Sequence, residues 1–258
     1  MYFMKYIDIH AHLDFSDFDR DRKEILADMQ SLSIGHFNIG TCLETSKNSI
    51  ALASENEHVW AIVGIHPLSV GEAKIEDLDL IEPLILHKKC VGIGECGLDF
   101  FREDSEEIRT KQTEFFKKQI ELAIKYDKPL MIHCRSAYPE TLEILESYKV
   151  QHPSLHAHFH FFTESIEIAE RILAQGWTLS FTGPITFANY DELIKYVPLN
   201  SMMIETDSPY ASPKSHRGQR NDPRNVIEIL AKIAEVKGVS EDDIIKQIRE
   251  NTKRVFGV

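Results

Sequence analysis

Eight short apolar runs recur along this chain, and they constrain its fold more than any other feature of the sequence. Each run has four to seven residues, is rich in β-branched or aromatic side chains, and is followed by polar or turn residues. This pattern is typical of buried strands. The predicted strands cover residues 6–10, 36–41, 60–66, 91–95, 130–134, 155–160, 178–181 and 202–205.

Apolar residues at helical spacing lie between the runs. Phe116, Ile120 and Ala123 share one face of a predicted helix that Pro129 limits. Similar patterns cover residues 138–148, 166–173, 226–233 and 244–255. Strands alternating with helices over 258 residues predict an α/β protein, a (β/α)8 TIM barrel that forms a single domain over residues 1–258. A doubly wound open sheet is the alternative, because only the count of strands separates the two folds here.

The composition excludes several classes of protein. No run approaches the roughly 18 apolar residues that a transmembrane helix requires, and residues 1–15 lack the pattern of a signal peptide. The four cysteines form no Cys-x-x-Cys pair and are too few for a disulfide scaffold. We therefore expect a reduced, cytoplasmic protein without a membrane partner.

The charge balance argues against non-specific binding of nucleic acid. The chain has 29 Lys and Arg residues against 41 Asp and Glu residues, which gives a net charge of −12. Neutralisation of phosphates supplies most of the affinity of non-specific nucleic-acid binders. Any contact with DNA must therefore depend on a local basic patch or on bound cations.

Ligand-type side chains fall at the ends of five predicted strands. These residues are His10, His12, Glu95, His133, His158, His160 and Asp207. Because the carboxyl ends of barrel strands form one face, we expect these side chains to converge there. An isolated histidine at a strand end is usually a packing or surface residue, but a whole set at five ends indicates a functional site.

The His10-x-His12 pattern specifies part of that site. Side chains alternate along a strand, so both imidazoles lie on the same side. Two imidazole nitrogens and a carboxylate from another strand suit a divalent metal ion. The sequence therefore predicts a metal centre at the mouth of the barrel.

Six segments resemble the TatD family of metal-dependent deoxyribonucleases, in order and at family-like spacing from residue 8 to residue 256. They are residues 8–14 (DIHAHLD), 64–67 (GIHP), 94–99 (GECGLD), 133–135 (HCR), 205–210 (ETDSPY) and 251–256 (NTKRVF). The resemblance implies a (β/α)8 barrel with a two-metal site related to that of the amidohydrolases. It implies that His10, His12 and Asp207 bind the first metal ion and that the carboxylate of Glu95 bridges both ions. It also implies that His133 and one histidine of strand six bind the second ion.

Strand six departs from the family pattern. The family usually has His-Cys-Phe-Ser-Gly, whereas residues 158–164 read HFHFFTE. Alignment of the Phe-Thr pair with the family's Phe-Ser selects His160 as the ligand and leaves His158 as a neighbour on the same face. Glu164 replaces the expected glycine. Cys96 stands where isoleucine or threonine is common, and we interpret it as a small buried residue.

The expected chemistry is hydrolysis by a metal-activated water. Two metal ions about 3.5–4 Å apart can share a hydroxide and polarise a phosphoryl oxygen, and the pKa of bound water can fall to around 7. Glu95 and Asp207 are the predicted catalytic residues, and the resemblance implies that Asp207 accepts the water proton. Imidazole and carboxylate ligands permit Zn, Mg, Mn or Co.

Substrate contacts are predicted at the same mouth. His66 follows strand three in a Gly-Ile-His-Pro turn, and the resemblance implies a phosphate contact rather than a simple turn residue. Residues 214–224 (KSHRGQRNDPR) form the densest basic cluster and precede a predicted helix, an arrangement that suits phosphate groups. We expect Arg217 and Arg220 of this loop to contact phosphate, and Arg135 and Arg102 are further candidates with weaker claims, of which Arg102 is the more easily explained as a solvated side chain.

Together these features predict a monomeric metal-dependent hydrolase of phosphodiester bonds. The most specific interpretation is a deoxyribonuclease that acts at the ends of DNA or oligonucleotides.

One alternative is an amidohydrolase-type hydrolase of C–N or ester bonds, but many such enzymes have a lysine after strand four where this chain has Glu95. Another is a metal-containing binding module without turnover, although structural metal sites are usually closed shells around one ion. A serine or cysteine hydrolase lacks the G-x-S-x-G elbow.

Overall fold

The computed structural model describes residues 4–102 and 105–258, so residues 1–3 and 103–104 of the predicted domain lie outside the described residues. One parallel sheet contains all eight strands in chain order. The strands are β1 (Tyr6–Ala11), β2 (Ile34–Ile39), β3 (Val59–Val63), β4 (Cys90–Asp99), β5 (Leu130–Arg135), β6 (Ala157–Phe159), β7 (Thr178–Phe181) and β8 (Met202–Ile204).

Helices alternate with the strands and surround the sheet. Within the described residues they are α1 (Arg22–Ser31), α2 (Leu43–Glu55), α3 (Asp77–Ile85), α4 (Glu106–Tyr126), α5 (Tyr138–Gln151), α6 (Ile166–Ala174), α7 (Asp191–Tyr196), α8 (Val226–Lys237) and α9 (Glu241–Phe256). Side-chain caps begin several of them, as where Ser240 accepts a hydrogen bond from the Asp243 amide. Gly238 ends α8 with a left-handed φ of 66°.

The sheet closes between its first and last strands. Ala11 and Ser208 form a parallel bridge. The His12 amide donates to Ser208 O at 2.8 Å, and the Asp207 amide donates to His10 O at 2.8 Å. This confirms the predicted (β/α)8 barrel and excludes the doubly wound sheet, whose edge strands do not meet.

All eight predicted strands are present, with different limits. β4 extends beyond the predicted end at Glu95, because its pairing with β5 continues to the Asp99–Arg135 pair. Asp207 and His160 lie just beyond β8 and β6 rather than inside them. The ligand-type residues thus occupy both the strand ends and the first residues of the following loops.

Two glycines allow β4 to approach β5 closely at the centre of the site. Gly94 and Gly97 have φ values of 141° and 138°. A Cβ on Gly94 would lie 2.4 Å from Met131 O, and one on Gly97 would lie 2.0 Å from His133 O. Only glycine accommodates both the backbone conformation and this contact. The glycines therefore determine how Glu95, which lies between them, is presented.

Apolar side chains fill much of the barrel interior beneath the site. A buried cluster brings together side chains from strands on different sides of the barrel and from α9: Ile7, Ile9, Phe37, Ile39, Ile62, Val91, Met131, Met203 and Phe256. A larger cluster joins the strands to the surrounding helices. Among the described residues, none of the helices combines the length and apolar character needed to cross a membrane.

Candidate metal centre

Glu95 is the centre of the site. Its buried carboxylate is surrounded by imidazoles from four strands or the loops that follow them. Oε1 lies 2.8 Å from His160 Nε2, 2.9 Å from His133 Nδ1 and 3.3 Å from His66 Nε2. Oε2 lies 3.3 Å from His10 Nε2 and 3.8 Å from His12 Nε2. One carboxylate therefore reaches two groups of nitrogens, as a bridging ligand must.

Asp207 supplies a second carboxylate. Its Oδ1 lies 3.7 Å from His10 Nε2 and 3.6 Å from His12 Nε2. The residue has a left-handed φ of 53°, and its amide is held by the hydrogen bond to His10 that closes the barrel. Barrel closure therefore positions this side chain.

The outer hydrogen bonds of His12 and His133 turn the second nitrogen of each ring toward Glu95. His12 Nδ1 lies 3.0 Å from Ile39 O, and His133 Nε2 lies 3.0 Å from Asp99 Oδ2. A carbonyl or carboxylate oxygen can only accept, so these nitrogens carry the protons. With the proton on the outer nitrogen, the nitrogen that faces Glu95 is the one available to a metal ion. Outer hydrogen bonds of this kind are typical of histidines that bind metal ions.

Three of the four ring nitrogens of His10 and His160 are buried without a hydrogen bond within the described part of the chain. Among the described residues, no hydrogen-bond partner is found for either ring nitrogen of His10 or for Nδ1 of His160. The latter faces Glu205 Oε1 at 3.5 Å. Since buried polar atoms are nearly always paired, these rings fit a cation-binding role.

Three overlapping groups have donor atoms within 4.8 Å of one another. They are His10–His160–Asp207, His10–His12–Glu95 and His66–Glu95–His133. All six predicted ligands lie in these groups, but His160 is grouped with His10 and Asp207 rather than with His133. His158 is in none of them, because its ring nitrogens contact Thr178 and Ser180 at 2.9 Å.

His66 belongs to one group, but its tautomer is wrong for a ligand. The Leu68 amide donates to His66 Nδ1 at 3.0 Å, as a cap of the short helix Pro67–Ser69. Burial, followed by the neighbouring histidines, lowers the pKa of His66 despite the charge of Glu95. The neutral ring therefore carries its proton on Nε2, which suits a donor to substrate.

The electrostatics of the centre favour bound positive charge. Burial disfavours the ionised form of Glu95, but the imidazoles of His160, His66 and His10 hold its pKa well below the usual range. Burial also disfavours protonated His160, yet the carboxylates of Glu95 and Glu205 raise its pKa well above its ordinary value. A cavity that attracts protons onto imidazoles is also suited to a divalent cation.

An open cavity of about 600 Å³ lies over the centre. The predicted contacts His66 and Arg135 line it together with Arg102. Aromatic side chains complete the wall, including Phe15 and Tyr210, the latter 56% exposed. A larger groove of about 900 Å³ borders α1 and α2, but it contains none of the predicted ligands.

Arg217 and Arg220 lie outside the residues that line this cavity. The guanidinium of Arg217 covers the ring of Phe187 at 4.6 Å. Arg220 pairs with Asp21 at 2.5 Å and covers the ring of Phe18 at 4.4 Å. The structure therefore gives both arginines partners within the protein, and their contact with phosphate stays a prediction.

The structure adds two carboxylates to the site. Asp99 bonds the outer nitrogen of His133, and Glu205 faces the outer nitrogen of His160. Both lie in segments that carry the family resemblance, GECGLD and ETDSPY. Their role depends on contacts with β5 and β6, which spacing alone does not reveal.

Comparison with known proteins places this site in a family. The family model for TatD related DNase matches residues 7–257. An uncharacterized metal-dependent hydrolase of Bacillus subtilis, YabD, is 32% identical over 255 residues, which cover 97% of this chain and 98% of YabD. A Citrobacter koseri protein named 3'-5' ssDNA/RNA exonuclease TatD is 29% identical, with 97% and 98% covered. The crystal structure of the Escherichia coli TatD homologue YJJV has a TM-score of 0.91 at 26% identity and covers 99% of both chains.

Proposed function

This chain belongs to the TatD family of metal-dependent hydrolases, and from that premise we propose that it cleaves phosphodiester bonds as a deoxyribonuclease at the ends of DNA. The observation that carries the proposal is the position of Glu95, whose two oxygens face separate groups of imidazoles. That arrangement suits two ions on one carboxylate, the architecture used for in-line displacement at phosphorus.

We assign six residues to the metal ions. His10, His12, Glu95 and Asp207 hold one ion, and Glu95, His133 and His160 hold the other. When bound, two such ions polarise a phosphoryl oxygen and lower the pKa of water toward 7. The mixture of imidazole and carboxylate ligands accepts Zn, Mn, Co or Mg, and loading with each ion distinguishes them.

The catalytic work of the chain's own residues falls to Glu95, Asp207 and His66. Asp207 is positioned at the cavity wall to accept the proton of the attacking water. His66 Nε2–H points toward Glu95 at 3.3 Å, so it can donate to a non-bridging phosphate oxygen that arrives over the centre. Such a donor stabilises charge that develops during displacement.

The cavity wall favours a single strand over a duplex. Tyr210 and Phe15 offer aromatic surface, and base stacking on such rings is independent of sequence. Arg135 lies over the ring of Phe101 at 3.9 Å, which holds its guanidinium at the rim. The Citrobacter koseri relative is named for single-stranded DNA and RNA, and we extend that substrate class to this chain.

The acidic surface restricts how much nucleic acid is bound. With a net charge of −12, two divalent ions leave the protein negative, so long duplexes away from the mouth are repelled. We therefore propose contact with only a few nucleotides near one end. We further propose that the enzyme is monomeric and cytoplasmic.

The test is an assay of metal-stripped protein reloaded with one cation at a time. Substrates are labelled single- and double-stranded DNA and RNA, bis(p-nitrophenyl) phosphate, and a small ester and amide series. We expect stepwise shortening of single-stranded ends and cleavage of the small phosphodiester. Hydrolysis of the ester or amide series without phosphodiester cleavage would instead support the amidohydrolase alternative.

A further inference from the structure

A row of buried polar side chains crosses the barrel from the opposite end of the sheet to the candidate metal centre. This cross-barrel row consists of His156, Thr178, His158, Ser180 and Glu205. His156 lines a small cavity of about 310 Å³ near the start of β5 and β6. Apart from the half-buried His156, all members are buried. Since buried polar groups are costly unless bonded, a row of five needs a physical reason.

The contacts along the row are continuous. His156 Nε2 lies 3.1 Å from Thr178 Oγ1, which lies 2.9 Å from His158 Nδ1. His158 Nε2 lies 2.9 Å from Ser180 Oγ. Ser180 Oγ in turn donates to Glu205 Oε2 at 2.9 Å. Alternation along the neighbouring strands β6 and β7 places these side chains on the same face of the sheet, so the row follows from strand periodicity.

The carboxylate of Glu205 determines the direction of every bond. An ionised carboxylate can only accept hydrogen bonds, so the Ser180 hydroxyl donates its hydrogen to Glu205. The Ser180 oxygen must then accept a hydrogen bond from His158 Nε2–H. His158 Nδ1 is then unprotonated and accepts from the Thr178 hydroxyl. Thr178 in turn accepts from His156 Nε2–H. One arrangement of protons therefore satisfies the whole row.

The row ends at His160. The Phe161 amide donates to Glu205 Oε1 at 2.6 Å, and the same oxygen faces His160 Nδ1 at 3.5 Å. A carboxylate in front of Nδ1 favours the proton on that nitrogen. Nε2 of His160 is then the nitrogen available to a metal ion at the centre, where it lies 2.8 Å from Glu95 Oε1.

We infer that the cross-barrel row is a positioning relay, in which Ser180 and Thr178 orient Glu205 so that Glu205 fixes the ring and tautomer of His160 for metal binding. Neither Ser180 nor Thr178 touches the centre. The inference rests on the proposed function in one respect, namely that His160 is a metal ligand. By contrast, His133 receives its support from Asp99 directly, without such a row.

The test measures metal binding rather than turnover. Full-length, metal-stripped protein is titrated with Co²⁺ against a competing chelator, and the visible spectrum of the bound Co²⁺ reports its coordination. The variants are Ser180→Ala, the isosteric Thr178→Val, the hydroxyl-retaining Thr178→Ser, and His160→Ala. Thr252→Val is the matched control, since this buried threonine donates only to Ile248 O within α9.

We expect Ser180→Ala to weaken Co²⁺ binding by about 10- to 100-fold, the usual effect of removing support behind a ligand, and to change the spectrum. Thr178→Val shows a smaller loss, and Thr178→Ser restores parent behaviour. If both Ser180→Ala and Thr178→Val bind Co²⁺ with the same affinity and the same spectrum as the parent protein, the relay is wrong, even if their thermal stability is lower. Parent affinity in His160→Ala overturns the ligand assignment itself, and the relay with it.

Discussion

The imidazole rings of His10 and His160 lie face to face, with 4.1 Å between centroids and 10° between planes. Burial and the proximity of His160 lower the pKa of His10, which favours the neutral ring, and a neutral imidazole offers the lone pair of one nitrogen to a cation. The proposal assigns these two rings to different ions. Because the rings stack, we expect a substitution at one of the proposed sites to affect the other.

Substitution of Glu95 tests the shared centre. In Glu95→Gln the side chain keeps its size but loses its charge, so both groups of imidazoles lose their common partner. We expect loss of bound metal at both sites and a fall in kcat of at least about a hundredfold, since removal of supporting groups alone costs 10- to 100-fold. Elemental analysis and the oligonucleotide assay measure the two effects. Glu164→Gln, in the same cavity wall, is the control and keeps its metal.

Substitution of His66 separates a phosphate donor from a metal ligand. Because Nδ1 of His66 accepts from the Leu68 amide, we expect His66→Gln to retain both ions while kcat/KM falls about tenfold, the value of one good hydrogen bond in the transition state. Metal content and kinetics are measured on the same preparation. A loss of metal equal to that in His133→Ala would make His66 a ligand instead.

The response to salt reports how many phosphates are bound. Contact with a few nucleotides neutralises few phosphates. For single strands, each neutralised phosphate contributes about −0.7 to the slope of the logarithm of the binding constant against the logarithm of the salt concentration. We expect a slope of about −1 to −3 for the binding of single-stranded oligonucleotides in the absence of turnover. A slope near −8 would require an extended interface elsewhere on the protein.

The same binding assay ranks the arginines. Arg135 lines the cavity, whereas Arg220 is paired with Asp21 and Arg217 covers Phe187. We expect Arg135→Ala to raise Kd more than the Arg217→Ala/Arg220→Ala double substitution does. An unchanged Kd in the double variant would remove the loop from the interface, and an unchanged Kd in Arg135→Ala would contradict the proposed path of the strand.

Base stacking on Tyr210 is tested with a damaged substrate. Stacking on an aromatic side chain contributes about 1–3 kcal/mol per base. We expect an oligonucleotide with an abasic site next to its end to be a poorer substrate for the parent and for Tyr210→Phe. In Tyr210→Ala the difference between the intact and abasic substrates disappears, while cleavage of bis(p-nitrophenyl) phosphate is unchanged. Persistence of the difference would locate stacking elsewhere.

Acid sensitivity of the fold is expected from His36, which lies away from the mouth. Burial, followed by the charge of His58, lowers the pKa of His36 from 6.5 to about 3. Below pH 6.5 the unfolded chain binds a proton that the folded protein does not, so the free energy of unfolding falls as pH decreases toward 3. Between pH 7 and pH 5 this one residue contributes a fall of about 2 kcal/mol.

We therefore expect His36→Leu to reduce the loss of stability between pH 7 and pH 5 by about that amount. Urea denaturation of metal-loaded parent and variant at both pH values measures it, and the pH dependence of metal binding cancels in the comparison. The substitution also removes two buried ring nitrogens that lack hydrogen-bond partners among the described residues. An equal slope in both proteins would contradict the role of His36.

The barrel and the family could be predicted from sequence because their signals are local. Strand and helix periodicity lie within short windows, and segments such as residues 8–14 or 205–210 carry several functional residues each. The predicted fold class and the TatD resemblance are both confirmed. Element limits were less accurate, because pairing with a neighbour, as between β4 and β5, extends a strand beyond its apolar run.

What only the tertiary structure decided is which atoms of those residues meet. Strand periodicity gave His158 and His160 the same face, but contacts with β7 engage both nitrogens of His158 and leave His160 Nε2 facing Glu95. The supporting carboxylates Asp99 and Glu205 acquire their role from the same long-range packing. The type and spacing of side chains can be read from the sequence. Which nitrogen of an imidazole stays available to a ligand depends instead on the hydrogen bonds that distant strands impose.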